Sequence, residues 1–384
     1  MNVHEYEIII IGSGPAGSSA AIHAKKSGNN VLLIEAKQFP RNKACGGLLT
    51  EKTISILKKK LGIVSDLIPI KTRCKKILLH YKDKELISLV TDKEFMITLR
   101  SEFDLFLQKK YLELGGEIIY KRITSEHIDS TNKVIIIDGI TFKYKLLIGA
   151  DGANSIVRKI LDTKFKPDGF AMEIVSSTKE FGDDIQIFLG NTPNGYDWYF
   201  PLPNASNLGS GSKKIKLVTH YFNQFQTKLN IETISHKALG SYLSLGNIPN
   251  HACNQSVAIV GDAAGLTDPI FGEGIYFAIR SGIAAVESFR EGRFNPSIYL
   301  DEIHEIHSYI RLGKQINRYI IQNQWLSPIL LPYLGKKRSL IHFISEIYLS
   351  EEQALSWNLV KLYRSYCSFK RLKYGKSNES NAHN

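Results

Sequence analysis

Gly12-Ser13-Gly14-Pro15-Ala16-Gly17 is a G-x-G-x-x-G run, and the chemistry open to it is anion binding. Such glycines let backbone N–H groups at the positive end of a helix approach a pyrophosphate. Glu35 stands 18 residues after Gly17, where a carboxylate accepts hydrogen bonds from an adenosine ribose and disfavours a 2′-phosphate. Two later segments each pair glycines with an aspartate, Gly149-Ala150-Asp151-Gly152 and Gly261-Asp262-Ala263-Ala264-Gly265. They argue for FAD rather than a nicotinamide nucleotide in this first fold, with Asp262 at the ribityl or pyrophosphate end. Gly272-Glu273-Gly274 then runs into Ile275, so N–H groups and a helix dipole can face the flavin N1/O2 edge and stabilise an anionic reduced flavin.

Short apolar strands must position these groups. Ile8 to Ile11 feeds the first glycine turn, which opens a helix whose Ala16, Ala20, Ala21 and Ala24 permit close packing on a sheet and which Gly28 can end. Val31 to Ile34 leads to Glu35, Leu146 to Ile148 to Asp151, and Val257 to Val260 to Asp262. Each acid thus falls at a strand's C-terminal edge, where open α/β sheets bind ligands. Lys76 to Val90 reads as a hairpin around Lys82-Asp83-Lys84, Phe95 to Leu99 as another strand, and Val134 to Ile137 as a further one. Phe103, Phe106, Leu107 and Leu114 share a helical face. From about 165 to 250 the pattern is β-rich, with strands at Asp184 to Leu189 and Lys214 to Thr219. Beyond Asn295 it is helical to about Phe369.

The fold class that follows is α/β: a Rossmann-type FAD-binding domain with an inserted β-rich substrate domain and a helical C-terminal region. The FAD-binding domain is discontinuous, at 1–60, 95–164 and 250–295, with the substrate domain at 61–94 and 165–249. The helical region spans 296–369, and a basic, then polar tail at 370–384 reads as disordered.

A chain of 384 residues, 43% hydrophobic and 22% charged, excludes general disorder, a collagen repeat and a coiled-coil rod. Cys45, Cys74, Cys253 and Cys367 form no C-x-x-C pair, so no zinc site or disulfide framework is expected and a reducing compartment fits. His304 and His307 lie three apart with no third ligand in the pattern, so no metal is expected. No apolar run approaches the roughly 18 residues of a spanning helix, and no secretory leader is read at the start. The location expected is cytoplasmic. The net charge of +12 favours anionic partners, yet no DNA- or RNA-binding motif is present, so nucleic acid is not expected. Ile306, Tyr309, Ile310, Ile316 and Ile320 gather on one helical face, opposite Arg311, Lys314 and Arg318. Trp325, Leu326, Ile329, Leu330, Leu331, Tyr333 and then Lys336-Lys337-Arg338 follow. This segment either packs on the domain with its charges solvated or rests peripherally on an anionic bilayer.

Five motifs in order carry a family resemblance from about residue 6 to 290: GSGPAG at 12–17, KACGG at 43–47, RSEFD at 100–104, GADGANSIVR at 149–158 and GDAAGLTDPIFGEGI at 261–275. The chain resembles the geranylgeranyl reductase family of FAD-dependent oxidoreductases, within the group sharing the p-hydroxybenzoate hydroxylase fold. The resemblance implies that Arg41 and Arg100 lie near the FAD phosphates and ribose. It implies that the loop of Cys45, Gly46 and Gly47 lies beside the isoalloxazine ring, with Leu48 and Leu49 where relatives often have another glycine. There the Cys45 thiol either donates a proton or positions substrate, or is a small buried filler.

Tyr196-Asp197-Trp198-Tyr199-Phe200-Pro201, then seven residues, then Gly209-Ser210-Gly211 resembles that family's Y-x-W-x-F-P…G-x-G signature. Residues 195–201 are also similar, by all but two substitutions, to the G-W-x-W-x-I-P segment of flavin-dependent halogenases. The reductase resemblance implies a long-chain prenyl lipid or pyrophosphate as substrate, taken against an aromatic wall that includes Tyr196 and Trp198. A flavin monooxygenase or halogenase, or a flavin-binding membrane-associated resistance protein with little turnover, stands as the alternative. There is no second G-x-G-x-x-G for a nicotinamide domain, so the electron donor is NADPH approaching transiently or a reduced ferredoxin. The sequence does not fix the oligomeric state.

Overall fold

The β-branched run Ile8–Ile11 cannot alternate between a wet and a dry face, so it must be buried on both sides. In the computed structural model it ends the central strand Val3–Ile11 of a parallel sheet. The structure describes residues 3–323, apart from Thr178 and residues 232–237. Across the sheet the parallel strands run Glu117–Tyr120, Val31–Glu35, Val3–Ile11, Ile140–Gly149 and Val257–Ile259. The chain builds outward on one side of the central strand and then switches to the other. That switch opens a crevice at the C-terminal ends, where Gly12, Asp151 and Asp262 follow their strands. Val134–Ile137 and Ile128–Asp129 add an antiparallel ribbon.

The helix Pro15–Lys26 lies against the helix Ile275–Glu287 closely enough that a Cβ on Gly282 would meet the Ala16 carbonyl oxygen at 2.3 Å. The helix Arg100–Glu113 buries Phe103 and Leu107 as its spacing predicts. Leu114 does not join them: the helix ends before it, and Tyr111 fills the core position. The Tyr111 hydroxyl donates to Val31 O at 2.8 Å.

The second sheet has eight strands, in the order Leu239–Leu243, Gly169–Ser176, Ala205–Ser212, Gly195–Leu202, Ile185–Leu189, Ile70–Tyr81, Lys84–Thr98 and Leu48–Leu49. Two sequence expectations change here. Phe95 to Thr98 continue the long strand from Lys84, with register shifts that let one strand bend past its partner. Lys214 to Thr219 is not a strand but the entry to the helix Val218–Lys228, because Val218, Phe222 and Phe225 recur at helical spacing and are buried.

The C-terminal helix Pro296–Ile316 is capped by the Asn295 side chain, which accepts from Ser297 N at 3.0 Å. It buries Ile306, Tyr309, Ile310 and Ile316 and leaves Arg311 and Lys314 exposed; Arg318, in the turn that follows, is exposed as well. The Tyr299 hydroxyl donates to Ile259 O at 2.6 Å, tying this helix to the parallel sheet. The Ile320 side chain, the segment from Trp325 to Arg338 and the tail at 370–384 lie outside the described residues. Among the described residues, no helix is long and apolar enough to cross a membrane, and no three His, Cys, Asp or Glu side chains gather as metal ligands.

His307 is pushed down to about 4, by burial first and then by the neighbouring Arg311 and His304 charges. The folded state therefore holds it neutral, and the stability linked to it is present above the ordinary histidine pKa near 6.5 and lost as pH falls towards 4. His307→Gln is expected to flatten the fall in unfolding free energy between pH 6.5 and 4, read by denaturant titration at each pH.

Candidate functional site

Glu35 closes over the first glycine turn. Its Oε2 accepts from Ser13 N at 2.8 Å and Ser13 Oγ at 3.1 Å, and its Oε1 accepts from Lys37 N at 3.0 Å. The helix from Pro15 has Gly14 at its N-cap, no side-chain cap and no acid in its first turn, so its N-terminal N–H groups are unspent on side chains. Gly12 and Gly17 are required by close approach, since a Cβ on Gly17 would strike the Gly12 carbonyl oxygen at 1.8 Å. A Cβ on Gly14 would meet a single heavy atom within 4 Å, Arg41 Nη2 at 3.7 Å. That leaves a cradle between bare N–H groups and a guanidinium, which fits a pyrophosphate. Arg41 also lies over the Phe39 ring and 3.4 Å from Asp104 Oδ2.

Arg100 is buried, and its Nε and Nη2 donate to Asp104 Oδ1 and Oδ2 at 2.7 and 2.8 Å. Burial opposes its charge, but Asp104 and the adjacent Cys45 thiol outweigh that and hold its pKa above the ordinary value. Asp104 thus joins the arginine at the glycine turn to the arginine beside Cys45. Asp151 turns Oδ2 to Ile156 N at 2.7 Å and Val157 N at 3.3 Å, which shapes its own loop, and burial raises its pKa.

Asp262 sits where the last motif meets the crevice. Its Oδ2 accepts from Lys43 Nζ at 3.3 Å and its Oδ1 from Thr267 Oγ1 at 3.1 Å. Gly274 caps the helix from Ile275 without a side-chain bond, and a Cβ on it would come to 3.6 Å from Asp262 Oδ1. The Gly272-Glu273-Gly274 loop is fixed from behind: Glu273 accepts from Thr50 Oγ1 at 2.9 Å and pairs with buried Lys52 at 2.5 Å.

The loop Lys43 to Gly47 crosses from the parallel sheet to the second sheet. Gly47 has φ +73°, and a Cβ on it would strike the Thr98 carbonyl oxygen at 1.8 Å. Thr98 N donates to Gly47 O at 3.0 Å, and Leu48 and Leu49 then pair with Ile97 and Met96. The two leucines therefore begin the second sheet directly. Gly46 lies against the aromatic strand Gly195–Leu202, where a Cβ would meet the Phe200 ring at 2.3 Å and Trp198 Nε1 at 3.1 Å.

The spacing of the aromatic signature has a geometric cause. Pro203 and Asn204 turn the chain back, so that Phe200 pairs with Asn207, Trp198 with Gly209 and Tyr196 with Gly211. Gly209 is the floor on which the indole lies: a Cβ on it would be 2.0 Å from the ring, whereas one on Gly211 would come no nearer to it than 3.9 Å. Trp198 is 5% and Phe200 7% exposed, whereas Tyr199 packs on the opposite face with Phe222 and Phe225. The Tyr196 hydroxyl donates to Phe271 O and lies over Gly272, which joins the aromatic strand to the last motif.

Two polar groups here have no place in the sequence reading. Trp198 Nε1 donates to Asn207 Oδ1 at 2.8 Å, Asn207 Nδ2 donates to Glu173 Oε2 at 3.1 Å, and Cys45 N donates to the same Oε2 at 2.8 Å. Burial pushes Glu173 up to about 7, against the opposing pull of Asn207, the Cys45 N–H and Arg100. The available signal was one charge inside the apolar run Phe170 to Val175. Of the anticipated residues, the structure gathers Cys45, Gly46, Gly47, Arg100 and Trp198 around this network. Glu35, Arg41 and the first glycines gather at the other end of the crevice.

Residues 5–183 match the FAD binding domain family. An uncharacterized protein of Methanosarcina barkeri is 31% identical over 343 residues, covering 85% of this chain and 87% of that one. A digeranylgeranylglycerophospholipid reductase of Methanosphaera stadtmanae is 28% identical over 352 residues, covering 83% and 86%. Among solved structures, a geranylgeranyl bacteriochlorophyll reductase-like protein from Thermoplasma acidophilum shares the fold, with a TM-score of 0.74 at 21% identity over 94% of this chain and 96% of that one. A Rossmann-type crevice with a pyrophosphate cradle, closed by a second sheet, defines an FAD-dependent oxidoreductase. The chain belongs to the FAD-dependent oxidoreductases whose members include geranylgeranyl reductases and menaquinone reductases.

Gly47→Ala forces both a left-handed backbone and a carbonyl clash onto an L side chain. It is expected to cost more than about 2 kcal/mol of unfolding free energy and to lower FAD retention. Denaturant titration and the flavin absorbance left after desalting read the two effects.

Proposed function

We propose that this protein reduces isolated double bonds in the geranylgeranyl chain of a lipid or prenyl pyrophosphate. The observation that carries the reading is the aromatic strand held face-on to the Cys45 loop, with Trp198 and Phe200 seated on glycines. A prenyl chain offers only apolar surface and π bonds, so recognition falls to such a wall. The Methanosphaera relative, named as a digeranylgeranylglycerophospholipid reductase, supports the same substrate class.

Gly12, Gly14, Pro15, Ala16 and Gly17, with Arg41, would hold the FAD pyrophosphate. Glu35 would hold the ribose, and Asp262 and the Gly274 and Ile275 amides the ribityl and flavin end; the Gly272 amide, expected beside them, instead donates to Asp268 O at 3.0 Å. Bound and reduced, FAD supplies the hydride equivalent. An isolated alkene accepts it poorly unless its other carbon is protonated. Tyr196, Trp198 and Phe200 align the chain and exclude water, and Cys45 or a water beside it delivers the proton. The electron donor is NADPH or a reduced ferredoxin. The exposed Arg311, Lys314 and Arg318, with the net charge of +12, suit a cytoplasmic protein that takes its substrate peripherally from an anionic membrane surface.

The test is to reduce FAD-loaded protein chemically without oxygen, add geranylgeranyl lipids, and follow flavin reoxidation and product mass. Gains of two hydrogens matched to reoxidation are expected. Reoxidation only on admitting oxygen would overturn the reading in favour of a monooxygenase. Cys45→Ser is expected to lower the reoxidation rate by about 100-fold at unchanged FAD content, measured by stopped-flow absorbance. An unchanged rate would remove Cys45 from the proton step.

A further inference from the structure

Glu173 stands at the centre of its strand with its side chain on the substrate face. In register across three strands lie Glu173, Gly209 and Trp198, so the carboxyl and the indole share one face of the sheet. Both recorded donors, Cys45 N at 2.8 Å and Asn207 Nδ2 at 3.1 Å, converge on the single oxygen Oε2. A proton carried on Oε1 leaves both bonds in place, because the carbonyl oxygen of a neutral acid still accepts. The Arg100 guanidinium reaches both Glu173 and the Cys45 thiol electrostatically, so the charge left after the proton departs is already matched. Burial raises the carboxyl to about 7, which keeps a large acid fraction at neutral pH.

The other buried acids nearby are committed elsewhere. Asp197 points to the opposite face and accepts from Thr192 Oγ1 at 2.6 Å, and Asp268 accepts from Phe271 N at 2.7 Å within its own turn.

We propose that Glu173 is the proton store of this site, a residue that acts through Cys45 and neighbouring water to supply the proton taken up by the alkene. The inference rests on the alkene-reductase reading. In the step, the alkene π bond is lost and two C–H bonds form: one carbon takes the hydride equivalent as reduced flavin is oxidised, and the other takes a proton. The Cys45 thiol, or a water beside it, gives that proton and is replenished by Glu173. The resulting carboxylate is held by Cys45 N–H, Asn207 and Arg100 until solvent reprotonates it. The groups facing Glu173 are the Cys45 amide from the crossing loop, Arg100 from the start of its helix, with Asp104 behind it, and neutral Asn207 and Trp198 from the sheet; the Cys45 thiol lies against Arg100.

The experiment combines infrared titration of the carboxyl band in FAD-loaded protein without lipid with anaerobic pH–rate profiles for the wild type, Glu173→Gln and Glu173→Asp. The expected band, absent in Glu173→Gln, titrates near 7, and wild-type kcat falls as pH rises through the same range. Glu173→Gln should lose that limb and about 100-fold in kcat, with FAD content and KM for the lipid little changed. Glu173→Asp should restore part of the rate and a shifted limb. Wild-type rates and an unaltered limb in Glu173→Gln would overturn the proton role of Glu173 while leaving the reductase standing, as would a band titrating in the ordinary carboxylate range. A wild type that reduces no prenyl lipid would overturn the reductase reading and this inference with it.

Discussion

The contact on which the site depends is the crossing of the Cys45 loop between the two sheets. Gly47 lies so near the Thr98 carbonyl, and Gly46 so near the Phe200 ring, that no side chain can be interposed. The loop is therefore pinned on one side by main-chain pairing of Leu48 and Leu49 and on the other by aromatic surface. Together with the Tyr196 contact to Phe271 and Gly272, it joins the nucleotide crevice to the aromatic strand. The Cys45 thiol on the loop and the Trp198 indole of the second sheet are thus held together by one short piece of backbone.

Electrostatics extend that mechanical link. Two buried or half-buried arginines share the Asp104 carboxylate, so the glycine-turn end and the Cys45 end of the crevice belong to one charge network. Uncompensated, either guanidinium would be costly to bury; shared, they place positive charge at two points along the crevice. The Lys52–Glu273 pair does the same for the Gly272-Glu273-Gly274 loop, fixing it from the core side.

Much of this was legible in the residues because the governing constraints are local. A glycine turn between a buried strand and a helix, an acid at the next strand's end, and small residues on a packed helix follow from short-range sterics, and the sheet order bears them out. The spacing of the aromatic signature could be seen but not its cause, which appears only when a hairpin brings Gly209 beneath Trp198. Lys214 to Thr219 misled because a β-branched run beside a longer helix is ambiguous until its buried face is known. Glu173 was out of reach for another reason: its partner Cys45 lies 128 residues away in the chain, and a single charge in a strand carries no record of what it touches.

The second sheet is assembled from widely separated pieces of chain: residues 48–49, 70–98, 169–212 and 239–243. Its strand Ile185–Leu189 runs parallel to Ile70–Tyr81, a pairing no hairpin can make. Every such pairing closes a loop that contains strands of the other sheet, so its entropic cost falls only once those strands are in place. Among the described residues, the aromatic strand itself pairs only with its sequence neighbours Ile185–Leu189 and Ala205–Ser212, so the aromatic surface is a locally built unit that the parallel pairing to Ile70–Tyr81 fastens to the rest of the sheet.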